Sequence, residues 1–156
     1  MGLFSQWILT DTVNINASPK QIWDFFINLE NNYIAWHPHD HKKFEWAGEP
    51  MAEGTKWYAE ELVHGHLFKL KGKVGKVIPH KEITFKYSFP ISLVSPRFVW
   101  KIKTLDNSVS SFTALSYLNA GDFFSLLSKK EMEWKLKATK QHTKEEGENL
   151  KKLLEN

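Results

Sequence analysis

Apolar and polar side chains alternate in part from Trp7 to Ile15, a stretch rich in β-branched residues, and this predicts a first strand. At Ser18-Pro19-Lys20-Gln21 the period changes. Ser18 is placed as a helix N-cap, Pro19 at the first helical position, and Gln21 where it closes a capping box. Ile22, Phe25, Phe26 and Leu29 follow at i, i+3, i+4 and i+7, which is one apolar stripe of a helix. A second short helix is expected over residues 30–36. Pro38 stops it, because proline pushes the residue before it out of the helical region.

Beyond this point turn signals divide the chain into strands. Pro50 and Gly54 break a loop at 48–54, and a strand is expected over 55–63. Gly65 marks a turn, with the partner strand over 66–77. Pro79-His80-Lys81 turns the chain into 82–89, and 90–96 forms a loop between two prolines. The last hairpin is 97–104 with 108–117, turned at Asp106-Asn107. From about 122 to 154 there is no proline and strong helix formers dominate. At ~100° per residue, Glu131, Trp134, Ala138, His142, Glu146 and Leu153 share one face of this long amphipathic helix. The expected architecture is α+β: a curved antiparallel sheet of about seven strands, two short helices after the first strand, and a long terminal helix covering one sheet face. With no repeat or linker, residues 1–156 are read as one domain.

Composition narrows this picture. A chain of 156 residues can bury roughly 70% of its unfolded surface. The aromatic share is high, with 7 Trp and 11 Phe, so flat rings must build the interior. Trp36, Trp57, Phe85, Phe98, Trp100 and Trp134 are read first as core and second as walls for a small apolar or aromatic ligand. The absence of cysteine excludes disulfides, thiolate metal sites and thiol nucleophiles. The N-terminus lacks a secretory pattern and no apolar run is long enough to span a membrane, so a cytoplasmic protein without membrane insertion is expected. The net charge is +3 and Arg97 is the lone arginine, which argues against nucleic-acid binding. A homodimer is compatible with the chain. Nucleophile-elbow, P-loop and dinucleotide glycine patterns are absent.

His142 and Glu146 lie four apart on the terminal helix, so their side chains project from one face about a turn apart, a spacing that suits two ligands on one cation. His37, His39 and His41 fall within five residues, beside Tyr33 and Trp36. Imidazole is the commonest metal ligand and neutral-pH base. Glu60 and Glu61 face opposite sides of their strand. Glu61 shares parity with Trp57, Ala59 and Val63, the more apolar set, and is preferred as the inward carboxylate. His64 and His66 are read as exposed or as outer supports.

The element order, and the piece Val-Asn-Ile-Asn-Ala-Ser-Pro-Lys-Gln-Ile-Trp-Asp-Phe-Phe from Val13 to Phe26, resembles the START-like superfamily, also called polyketide-cyclase-like or helix-grip proteins. Its members include carriers, receptors, cyclases and hydrolases, so this resemblance implies fold rather than function. A narrower similarity is to the diacetylphloroglucinol hydrolase family. It lies in Tyr-Ile-Ala-Trp-His-Pro-His-Asp-His (Tyr33 to His41), Trp57 to Gly65, and His142 to Leu150. That resemblance implies a zinc ion, or another divalent first-row metal, held by two His and two Glu. Here the set would be His41, Glu61, His142 and Glu146, with His37 in reserve for His41 and Asp40 orienting an imidazole. It also implies cleavage of a carbon–carbon bond between an acyl group and a phenolic ring, with Tyr33, His37 or His39 as proton donor. A carrier or sensor of an apolar ligand, and a metal-free cyclase or dehydratase, are the competing expectations.

Overall fold

The computed structural model describes residues 5–63, 65–119 and 129–156, without the side chains of 129, 131 and 132. The orientation expected for His64, the first turns of the terminal helix and the side chain of Glu131 fall outside them. The elements are β1 (Gln6–Ile15), α1 (Pro19–Ile27), α2 (Leu29–Trp36), β2 (His41–Ala47), β3 (Lys56–Val63), β4 (His66–Ile78), β5 (Glu82–Tyr87), β6 (Arg97–Thr104), β7 (Ser110–Asn119) and α3 (Lys129–Glu155). A short 3-10 turn, Ile91–Leu93, sits in the loop before β6.

The seven strands form one antiparallel sheet in the order β1-β7-β6-β5-β4-β3-β2. Strands β2 to β7 make a meander, and β1 closes onto β7 from Gln6↔Asn119 to Ile15↔Ser110. The capping box is formed. Gln21 N–H donates to Ser18 Oγ at 3.2 Å, and Ser18 N–H donates to Gln21 Oε1 at 2.8 Å. Ile22, Phe26 and Leu29 are fully buried, Phe25 is partly so, and Trp23 joins them. Helix α2 ends at Trp36, with His37 at φ −144° and ψ 79°, the extended backbone that Pro38 imposes.

Two features of the sheet bear on the site. In β2, Phe44 and Trp46 face inward, and strict alternation would carry Lys42 inward and His41 out. The register shifts between His41 and Lys43, a bulge that resets the parity and buries His41 opposite Glu61. In β4, Gly72 lies under the Trp57 indole. A Cβ there would sit 2.8 Å from Trp57 Cζ2 and 1.8 Å from the Lys86 carbonyl oxygen, so only glycine lets ring and strand approach this closely.

Helix α3 lies along β1. Gly147 makes that approach close, since a Cβ there would meet Asp11 Oδ2 at 3.2 Å and Val13 Cγ1 at 3.4 Å. Its buried stripe is Ala138, Thr143, Gly147, Leu150 and partly Leu154, with His142 and Glu146 at the margin. This corrects the expected inward face. Trp134 and Leu153 are 45% and 40% exposed, because the helix is turned toward Thr143 and Gly147, two residues that counting apolar side chains passes over. Among the described residues no helix is long and apolar enough to cross a membrane.

Candidate functional site

The end of α2, the bulged start of β2, the end of β3 and the middle of α3 meet at one end of the sheet. Helix α3 is pinned there by the Trp36 indole, whose N–H donates to the Glu146 carbonyl oxygen at 2.9 Å. His41 is fully buried and its ring stacks on Tyr33, with centroids 3.9 Å apart and planes within 5°. His41 Nδ1 lies 2.9 Å from the Tyr33 carbonyl oxygen, which can only accept, so Nδ1 carries a proton. Its other nitrogen, Nε2, lies 3.0 Å from Glu146 Oε1.

His142 repeats the arrangement. Nδ1 lies 2.9 Å from Asp40 Oδ2, while Nε2 lies 3.4 Å from Glu146 Oε1 and 3.7 Å from Glu61 Oε2. Glu61 accepts a hydrogen bond from the Tyr33 hydroxyl. The ligand atoms of His41, Glu61 and His142 lie within 4.8 Å of one another. All four residues expected as metal ligands from the sequence are therefore brought together by the fold. Glu60 points the other way and accepts from the Tyr58 hydroxyl at 2.7 Å, as parity required.

The electrostatics follow from burial against acidic neighbours. Burial alone would lower the pKa of His142, but the carboxylates of Glu146 and Glu61 and the bond to Asp40 outweigh it, so it is pushed up to about 10. Burial would raise Glu146, yet His142 and His41 hold it below the usual carboxylate range. Burial and the Glu61 carboxylate together push the Tyr33 phenol well up, so it keeps its proton. Asp40 is held low against its own burial by hydrogen bonds from His39 and His142.

A second group sits beside the first. The ligand atoms of His37, Asp40 and His142 also lie within 4.8 Å of one another. His37 is buried and stacks on His142 at 5.0 Å. Asp40 N–H donates to His37 Nδ1 at 3.3 Å, so Nε2 holds the proton, 2.9 Å from Glu145 Oε2. His39 differs from its neighbours: its side chain is 89% exposed, and Nδ1 lies 2.6 Å from Asp40 Oδ1. It stands outside the buried cluster, where the proton donor was expected.

Of the expected aromatic walls, Trp36, Trp57, Phe85 and Trp100 are buried and Phe98 packs against them. They touch ring to ring: Phe85–Phe98 at 4.5 Å, Phe85–Trp100 at 4.6 Å, Trp36–Trp100 at 5.6 Å. Trp134, exposed on α3, lies outside this interior, contrary to expectation. Two residues escaped sequence reading. Tyr87 is partly buried on β5 within the field of Glu61 and Glu146, its phenol pushed up first by desolvation and then by those carboxylates. Trp46 pairs with Trp57 across β2 and β3. The inward parity of Phe85 could have pointed to Tyr87, and that of Phe44 to Trp46.

No protein-family model and no curated protein sequence matches the chain. Solved structures do. The Zhui aromatase/cyclase from Streptomyces sp. R1128 superposes with a TM-score of 0.78 at 15% identity, over 97% of this chain and 94% of that one. The di-domain aromatase/cyclase BexL of the BE-7585A biosynthetic pathway gives 0.74 at 18% identity, over 97% of this chain and 50% of that one, so this chain spans half its length. Norcoclaurine synthase from Thalictrum flavum, in complex with dopamine and hydroxybenzaldehyde, gives 0.67 at 12% identity over 97% and 87%. At these identities the likeness establishes the fold: the chain has the helix-grip architecture.

Proposed function

We propose that the chain binds a divalent first-row cation, zinc first among them, through His41, Glu61, His142 and Glu146, and acts there on a small carbonyl-bearing aromatic molecule. One observation carries this reading. Both ring nitrogens of both histidines face oxygen acceptors: the two Nε2 atoms converge on Glu146 Oε1, with Glu61 Oε2 also beside His142, and the two Nδ1 atoms face the Tyr33 carbonyl and Asp40 Oδ2. Without a cation the two Nε2 atoms must share the one Glu146 oxygen inside a buried cluster. With one, each Nε2 lone pair has a partner, and each Nδ1–H donates to an orienting oxygen, the usual outer support of a ligating imidazole. The 3.0–3.7 Å separations are close to the ~3.3 Å edge of a tetrahedron with ~2.0 Å bonds. Two imidazoles and two carboxylates without sulfur suit zinc.

When bound, the cation supplies Lewis acidity toward a ligand oxygen. The chain's own residues supply the proton. Tyr33 keeps its phenolic proton and shares it with Glu61. The finer reading is hydrolysis of the carbon–carbon bond between an acyl group and a phenolic ring. Water provides OH to the acyl carbon, and the ring carbon takes a proton from Tyr33, returned through Glu61.

A second reading, acid–base chemistry of the cyclase kind without metal, draws on the likeness to aromatase/cyclases and on the ready formation of a His142–Glu146 ion pair. Elemental analysis separates the two. After equilibration with zinc and desalting, about one zinc per chain is expected, absent in His142→Ala and Glu146→Gln. Metal-free wild type that still turns over a polyketide chain would overturn the metal reading in favour of the second.

A further inference from the structure

The indole N–H groups of Trp46 and Trp57 are buried and have no hydrogen-bond acceptor among the described residues. An orphaned donor costs roughly 1–3 kcal/mol, and native interiors rarely leave one without a partner from outside the fold. The two differ in surroundings. Trp46 is enclosed by Phe44 at 4.9 Å and Phe85 at 6.1 Å. Trp57 lies against Tyr87 at 5.5 Å and Phe98 at 5.9 Å, and the Tyr87 phenol, like that of Tyr33, feels the Glu61 and Glu146 carboxylates. Trp57 therefore stands on the way from the aromatic interior to the histidine–carboxylate cluster. Gly72 keeps its indole seated there.

We propose that Trp57 Nε1, with the Tyr87 ring packed edge-on against its indole, is the hydrogen-bond anchor for a neutral carbonyl oxygen carried by a small aromatic ligand. This rests on the reading that the interior takes such a molecule, though not on the metal. Charge selects the ligand class. Glu61 and Glu146 with a divalent cation sum to zero, Asp40 beside His142 adds a further negative charge, and without the cation these carboxylates outnumber the His142 imidazolium, so the cluster gives no positive field to hold a carboxylate or phenolate. An uncharged acceptor is what an indole N–H and a protonated phenol can hold.

The test uses acetophenone and ethylbenzene, which differ by the carbonyl oxygen, on 15N-labelled chain with and without chelator, read by the indole N–H resonances. Acetophenone is expected to move the Trp57 resonance downfield in both preparations, while ethylbenzene leaves it in place. Trp57→Phe should weaken acetophenone about tenfold, which is about 1.4 kcal/mol, and change ethylbenzene less than twofold. Tyr87→Phe should weaken acetophenone in the same sense. Equal weakening of both ligands, binding that leaves the Trp57 resonance unmoved, or no binding of either probe would overturn the proposal. The wild-type resonance reports even if a variant fails to fold. Failure in the chelated sample sinks the anchor, whereas absence of zinc by elemental analysis sinks only the metal reading.

Discussion

His142 shows how a neighbourhood sets the behaviour of one side chain. Its ordinary pKa near 6.5 is pushed up to about 10 because acidic groups outweigh burial. A histidine whose folded pKa lies above its unfolded one adds stability that is complete below ~6.5 and is lost as pH rises through the folded value. Chelator-treated protein is therefore expected to lose thermal stability steadily from pH 7 to pH 10, and His142→Gln should flatten that slope. Melting curves across this range check it, and a wild-type slope that is flat or rising would remove the ion pair from the account. The spacing of His142 and Glu146 was legible in the sequence because four residues make about one helical turn. Asp40 was expected to orient an imidazole, but that the imidazole is His142 was not legible, because the contact joins residues 102 apart.

Element geometry decided which candidates reached the interior. Glu61 over Glu60 followed from strand parity, since period-two alternation survives any packing of β3. His41 depended on the bulge in β2: the inward Phe44 and Trp46 would, by alternation, have turned it to solvent. In α3 the apolar count misjudged the rotation, because Thr143 and Gly147 are buried for fit against β1 and not for hydrophobicity. The two leucines test this. Leu150→Ala, at a fully buried position, should cost about 2–5 kcal/mol, and Leu153→Ala, on the exposed side, within about 0.5 kcal/mol. Urea denaturation of both variants reads the difference, and equal costs would mean the helix is turned otherwise.

In the molecule as a whole, the cluster joins α2, β2, β3 and α3, so a cation bound there ties the terminal helix to the sheet. Zinc at about 1,000 times its Kd should stabilise the fold by about 4 kcal/mol, raising Tm on the order of 10 °C, with no rise in His142→Ala. Differential scanning calorimetry against zinc concentration measures this; an unchanged Tm would exclude a bridging cation. The α+β order, the capping box of α1, the strand count and the pairing of His142 with Glu146 were all carried by the amino-acid order. Each depends on periodicity or capping among residues a few positions apart. Whether rings became core or surface, whether His41 faced in, and which nitrogen met which oxygen were settled only once distant segments packed. Those outcomes hinge on one bulge, one helix rotation and two close glycine contacts, which local spacing does not encode.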